Sequence, residues 1–400
     1  MRFPEFSGEW ERCTLGDFGN VITGNTPPTA EYENFDNGTH LWASPADLGT
    51  TKYIESTQTL LSDRGFEKSR SFPANSILVT CIGSTIGKMG MSKTEMASNQ
   101  QINTIVPVQH DANFVYYAVQ SRFPRYLSSI AVQAVPILSK SSFEKLTNYT
   151  TARKEQIKIG NLLSLIDERI DTQKKIIEDL KKLKDAIAEK LFCCPDDESP
   201  ELRVENSSDR WNLYRLKDVC QRVSERNSQG LSSLVLTIAA QYGLVSETDF
   251  FNKSVASENL SNYYLIRKGD FAYNKSYSGE YAWGAVKRLE LYEKGVLSPL
   301  YICFRPNPLI VYSDFLSHYF ETHKWHNGIA QIAGEGARNH GLLNISISDF
   351  FETIHRFPEL PEQQRIASYL NSLSDKISLA NKVLESYTRQ KRYLLARMFI

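Results

Sequence analysis

Gly83-Ser84-Thr85-Ile86-Gly87-Lys88 is the stretch of this 400-residue chain that comes nearest to a phosphate-gripping loop. Such a loop needs a longer gap between its glycines, and a Ser or Thr after the lysine to reach Mg²⁺. Here the gap is one residue short and Met89 follows Lys88, so nucleotide binding is not expected. His318, His323 and His326 fall on one predicted helix, 314–332, with His323 and His326 at i,i+3. No Cys or acidic residue at a matching spacing completes a zinc site, so they read as surface or core residues. The six cysteines (Cys13, Cys81, Cys193, Cys194, Cys220, Cys303) form no CxxC pair; a reduced cytoplasmic setting without disulfides is expected. There is no GxSxG nucleophile elbow and no Asn/Asp-Pro-Pro-aromatic tetrapeptide. The chain reads as non-enzymatic, with no metal and no cofactor of its own.

The chemistry that remains is recognition. Two sets of loops are unusually rich in glycine and polar side chains. TGNTPPT, TCIGSTIGKMG and SNQQIN supply Thr26, Ser84, Thr85, Lys88, Asn99, Gln100 and Gln101. AAQYGLV, YNKSYSGEYAWGAVKRLE and EGARNHGLLN supply Gln241, Tyr242, Asn274, Lys275, Tyr277, Lys287, Arg288, Arg338, Asn339 and His340. Asn and Gln pair with adenine edges, Arg and Lys with guanine, and aromatic rings beside basic groups suit nucleic acid. These residues are the candidate DNA contacts. Taken singly, each reads more readily as an ordinary polar turn; taken together, they read as a contact surface.

Net charge is zero, with 46 Lys and Arg against 46 Asp and Glu. Strong nonspecific DNA binding comes from massed phosphate neutralisation, which this composition does not supply; a nucleic-acid role would use local patches or a more basic partner. No apolar run is long enough to span a membrane, and MRFPEFSGEWERC lacks a secretory signal pattern.

Positioning such loops falls to a repeat. Residues 155–192 and 362–399 align at an offset of 207 without a gap, with nine identities in 38 pairs. Among these are Glu155/Glu362, Gln156/Gln363, Lys184/Lys391 and Phe192/Phe399. Both copies step by four and three: Ile159, Leu163, Ile166, Ile170, Ile177, Leu180, Ile187, Leu191 in the first, and Ile366, Leu370, Leu373, Ile377, Ala380, Leu384, Tyr387, Leu394, Met398 in the second. Gln173, Lys184 and Lys391 are polar members. A 3.5-residue period held over about four heptads predicts a coiled coil of two long helices, each roughly 57 Å long at 1.5 Å per residue. Outside the helices, Trp10, Leu15 and Asp17 match Trp211, Leu216 and Asp218, while Ser139 and Phe143 match Ser346 and Phe350.

The repeat divides the chain into a first body (1–150), a first long helix (151–194), a solvated linker (195–209), a second body (210–357) and a second long helix (358–400). Short β-branched and aromatic runs bounded by Gly, Pro and Asn give each body an α+β fold with a mixed sheet. The bodies' sequences align poorly with each other away from their edges.

This layout, with LPEQQRI opening the second helix and LVTCIGSTIGKMG, FAYNKSYS, WGAVKRLE and GARNHGLLNIS in the bodies, resembles the specificity subunit of type I restriction–modification systems over essentially the whole chain. ARKEQ replaces the proline-led opening at the first helix. The resemblance implies two target recognition domains separated by two long antiparallel helices. It implies that each domain reads one half of a split double-stranded DNA site, and that the helices set the spacer and dock two methyltransferase subunits. A restriction subunit would join outside. S-adenosylmethionine, ATP and Mg²⁺ would belong to those partners. Half-sites about 34 Å apart, one duplex turn, are within the span of such helices. A plain coiled-coil scaffold, and a specificity-like subunit of another defence complex, are the alternatives.

Overall fold

A computed structural model describes residues 1–130, 137–204, 210–239, 243–251, 259–276, 281–333 and 341–399. Contacts divide the chain into two compact units, Met1–Ile176 with Ala380–Ile400, and Ile177–Leu379. Each unit therefore owns one body and a part of both long helices.

In the first unit a sheet runs Gly19–Thr23, Ile102–Pro107, Ile77–Thr80, Met89–Ser92, all antiparallel, with Tyr53–Ile54 added in parallel at the edge. In the second unit the order is Cys220–Arg222, Ile302–Pro306, Phe271–Asn274, Ala285–Arg288, again antiparallel throughout. The second sheets also agree. Thr59–Leu61, His40–Ala43, Met96–Ser98 and Ser71–Phe72 lie side by side, the middle pair parallel. Their counterparts are Gly243–Ser246, Leu236–Ala239, Lys294–Leu297 and Tyr264–Arg267, with a parallel bridge from Val235 to Val296 completing the row. A terminal pair closes each body, Glu11–Thr14 with Thr147–Thr150 and Asn212–Arg215 with Ile354–Phe357. Bodies whose sequences barely align thus share strand order, direction and chain order. A core face needs apolar volume rather than particular residues, so Ile77 and Val79 in one body become Phe271 and Tyr273 in the other.

The long helices are Arg153–Leu191 and Leu360–Met398. In the first unit they run antiparallel: Asp167 pairs with Lys391, and Gln173 Nε2 donates to the Ala380 carbonyl at 3.0 Å. Leu163, Ile166 and Ile170 share a core there with Leu394 and Met398, and Leu384 and Tyr387 pack against it half-buried. Leu370 and Leu373 are buried in the second unit's core with Leu191. Ile177 is buried, while Leu180 and Ile377 are half-buried.

Two expectations are corrected. The stretch 314–332 is two helices, Ser313–Tyr319 and His326–Ile332. Between them the Thr322 hydroxyl donates to the Tyr319 carbonyl and the Trp325 indole to the Phe320 carbonyl, at 2.7 and 3.2 Å; these local bonds replace helical ones. The three histidines therefore do not share a helix, and His323 lies in the turn. The stretch 195–209 is also more than a solvated linker where it is described. Leu202 N donates to the Lys190 carbonyl, Arg203 pairs with Glu362, and Pro195 O accepts from Arg356.

Candidate nucleic-acid interface

In the first body three loops meet at one edge of the two sheets. Gly24 N donates to Ile102 O and Asn25 N to Ser98 O, drawing the segment after Thr23 against the segment after Ser98. A Cβ at Gly24 would lie 2.2 Å from the Ser98 carbonyl oxygen, so only glycine permits that approach. Thr26 Oγ1 donates to Gln100 Oε1 at 2.6 Å. Asn99 Nδ2 donates to Gln101 Oε1, and Gln101 N to Asn99 Oδ1. Cys81 N donates to Gln101 O at 2.7 Å, which brings in the hairpin loop carrying Ser84 and Thr85. The structure thus gathers Thr26, Ser84, Thr85, Asn99, Gln100 and Gln101. Ser84 and Gln100 are exposed, Thr26, Thr85 and Gln101 half-exposed, and Asn99 is buried at 8%. Gln100 and Ser84 are open to solvent, while Asn99 supports the loop from within.

Arg70 joins this edge, its guanidinium donating to Thr23 O at 3.1 Å. It is exposed and pairs with no carboxylate among the described residues. The sequence offered only a lone arginine outside the glycine-rich runs, so the loop motifs did not point to it.

Lys88 lies elsewhere. Gly87 has φ +92°, and a Cβ there would be 2.7 Å from the Phe123 ring; this close seat turns the hairpin back toward the helix Ala112–Ile130. Lys88 then lines a groove of about 640 Å³ beside the long helices, with Lys52, Asp167 and Lys391. Lys52 is buried there, bonded to Asn113 Oδ1 and Ser164 Oγ. Desolvation lowers its ammonium to about 8, against the pull of Asp167.

In the second body Lys275 O accepts from Leu343 N, Lys275 Nζ donates to Ile345 O, and Ser276 bridges to Leu342. Asn274 Oδ1 accepts from Ser276 N. Asn274 and Lys275 therefore mark the corresponding loop edge. Arg288 does not reach it. It is 17% exposed and bonds Asp314 and Glu290 at 2.5 and 2.9 Å. Burial opposes its charge, but these two carboxylates outweigh that and raise its affinity for the proton. Lys287, its neighbour on the strand, points to the opposite face and lines a groove of about 720 Å³. Gln241, Tyr242, Tyr277, Arg338, Asn339 and His340 lie outside the described residues.

Both bodies are fastened to the long helices by one device. Gln156 Oε1 accepts from Asp111 N, at the start of the helix Ala112–Ile130, and its Nε2 donates to Thr151 O. Gln363 Oε1 accepts from Tyr312 N, at the start of the helix Ser313–Tyr319, and its Nε2 donates to Pro358 O. Beside them Glu155 takes Arg2 in a two-point bond at 2.7 Å. Glu362 takes Arg203 and the Trp211 indole. Arg2 and Arg203 stand at the same 201-residue offset as Trp10 and Trp211, a match the sequence reading missed because MRF and LRV are so short.

Two α+β bodies of one topology, each keyed to a repeated helix, define a duplicated recognition scaffold. Residues 7–182 match the type I restriction modification DNA specificity domain. The MjaVIII specificity subunit of Methanocaldococcus jannaschii is 24% identical over 99% of this chain and 92% of its own length. The HindI specificity subunit of Haemophilus influenzae is 30% identical over 36% of this chain, and the MjaIX subunit of M. jannaschii 27% over 44%. Those two alignments span 32% and 42% of the relatives' lengths. Among solved structures, the S subunit of a type I restriction-modification system from M. genitalium matches with a TM-score of 0.57 at 17% identity, covering 98% of this chain and 96% of that one. Residues 7–182 thus carry the type I restriction modification DNA specificity domain, and over its whole length the chain is similar to type I specificity subunits.

Proposed function

We propose that this chain supplies sequence specificity to a methyltransferase complex and carries out no reaction of its own. Each body reads one half of an asymmetric, bipartite DNA site through its loop edge. The paired long helices hold the unread spacer and dock two methyltransferase subunits; a restriction subunit joins outside. S-adenosylmethionine, ATP and Mg²⁺ act on those partners. One observation carries the reading. The two bodies keep the same strand order and the same Gln anchor, while the side chains at their loop edges differ. That is the pattern of one mechanical role with two different targets. Phosphate contacts fix register and base contacts specify, so a neutral chain fits a division in which the partner holds much of the backbone.

The test is to map methylated adenines in cells expressing this chain with its methyltransferase. Replacing residues 211–352 with the corresponding segment of another specificity subunit should change one half of the motif and leave the other intact. A change in both halves, or in neither, overturns the reading.

A further inference from the structure

Lys184 and Lys391 are the same position of the repeat, each a lysine set in a mostly apolar seam. Both reach into the groove between their own unit's body and helices. Their partners come from different places. In the first unit Lys391 pairs with Asp167 of the first long helix at 2.6 Å, and Asp167 also accepts from Tyr117 OH at 2.6 Å. In the second unit Lys184 pairs with Glu321 at 3.0 Å, and Glu321 belongs to the body. The helix position equivalent to Asp167 is Ser374, whose hydroxyl turns back to the Leu370 carbonyl. The body position equivalent to Glu321 follows from the Asp111/Tyr312 match at the Gln anchors, and it is Gln120. Gln120 lines the first groove, and its Oε1 is buried with no hydrogen-bond partner.

Each lysine thus has one carboxylate, placed on the helix in one unit and on the body in the other. We infer that these two junctions form a charge code that makes the bodies non-interchangeable between the two ends. A body presenting Glu at this position in the first unit would set a second carboxylate beside Asp167, in the groove that Lys391 shares with the buried Lys52. A body presenting Gln in the second unit would leave Lys184 facing Ser374 without its ion-pair partner, with Asp185 of its own helix still acting on it. On the reading that each body serves one half-site, the code fixes the order of the half-sites along the DNA. Lys391, Asp167, Lys184 and Glu321 are positioning residues, acting through the seating of the body. Burial alone would raise the Glu321 carboxyl, but a hydrogen bond from the His318 ring, ahead of the charges of Lys184 and Lys287, brings it down to about 2.

Two double-mutant cycles on the full chain test this, read by thermal unfolding without DNA. Gln120→Glu should be better tolerated on an Asp167→Ser background than on the wild type. Glu321→Gln should be better tolerated on a Ser374→Asp background. A coupling of about 2–4 °C in Tm is expected in each cycle for units of this size. A chain with its two bodies exchanged should likewise melt higher when it carries Asp167→Ser and Ser374→Asp than without them. Additive effects in both cycles overturn the inference. Because the readout is folding, a failure here is separable from a failure of the DNA-reading proposal, which the methylation map judges.

Discussion

Gln363→Ala should be among the most damaging single changes in the second unit. The side chain is 1% exposed and makes three bonds, accepting from Tyr312 N at 2.7 Å and donating to Ile310 O at 3.0 Å and Pro358 O at 2.9 Å. Tyr312 N stands at the start of a helix, where backbone donors have no intrahelical partner. Truncation leaves one donor and two acceptors short of a bond, at about 1–3 kcal/mol for each group that stays dry. Allowing water to reach one of them, the loss is about 2–6 kcal/mol, or roughly 10 °C in Tm for a unit of this size. Gln363→Glu sharpens the argument. It keeps the acceptor for Tyr312 N but turns the donor toward Ile310 O and Pro358 O into a second acceptor. The carboxylate is repelled, so its folded pKa rises above the unfolded value of about 4.3. The protonated form still donates once. Stability is therefore fully present below that unfolded value and is lost as pH rises through the folded pKa. Urea unfolding followed by tryptophan fluorescence at pH 5 and pH 7 measures both. A loss under about 1 kcal/mol for the alanine variant, or a glutamate variant indifferent to pH, refutes the anchoring role.

His355 is buried between Tyr319 OH and Thr353 Oγ1 at 2.9 and 2.8 Å, and desolvation lowers its pKa to about 3. The unfolded chain takes up this proton below about 6.5, so stability falls as pH falls from there; at pH 5 the native state gives up about 2 kcal/mol. His355→Gln should remove that part of the pH dependence, measured as the difference in unfolding between pH 7 and pH 5. Arg288→Ala should cost about 2–4 kcal/mol by leaving Asp314 without its cation, yet leave the methylated motif unchanged; an altered motif at full stability would return Arg288 to the DNA contacts. Gln100→Ala and Ser84→Ala should shift stability by no more than about 0.5 kcal/mol, while altering base preference in one half of the motif only, as read by methylation mapping.

The long helices were legible because a 3.5-residue period survives any change of side chain that keeps its stripe. Their antiparallel pairing within the first unit is carried by Gln173 and Lys391, the polar members of that stripe. The mixed α+β character of the bodies was legible from their short β-branched runs. Their common strand order was not, since it lives in backbone pairing and leaves no residue signature. The false continuation of a helix through Thr322–Trp325 has a plain source: aromatic residues keep a helical spacing there, and the side-chain bonds that break the helix have no periodicity. Of the candidate contacts, the first body's glycine-rich loops do converge. Lys88 and Arg288 were beyond reach because strand alternation and a close glycine seat, rather than residue type, decide which way they point.

On the proposed function, the anchors explain how such a scaffold could change what it reads. Gln156 and Gln363 hold their bodies largely through backbone N–H and C=O groups, which every body possesses whatever its sequence. The start of each half is held the same way. The Met1 ammonium contacts the Arg397 carbonyl, and Leu202 N donates to the Lys190 carbonyl, one repeat earlier. Attachment of this kind is indifferent to substitution in the loops. At the first body's edge, Thr26 and Gln100 bond to each other, so replacing them disturbs neither core nor anchor. Stability and recognition therefore rest on separate groups of atoms. The exceptions are the seam lysines, whose carboxylate lies on the helix in one unit and on the body in the other; there a replaced body must match the helix it meets.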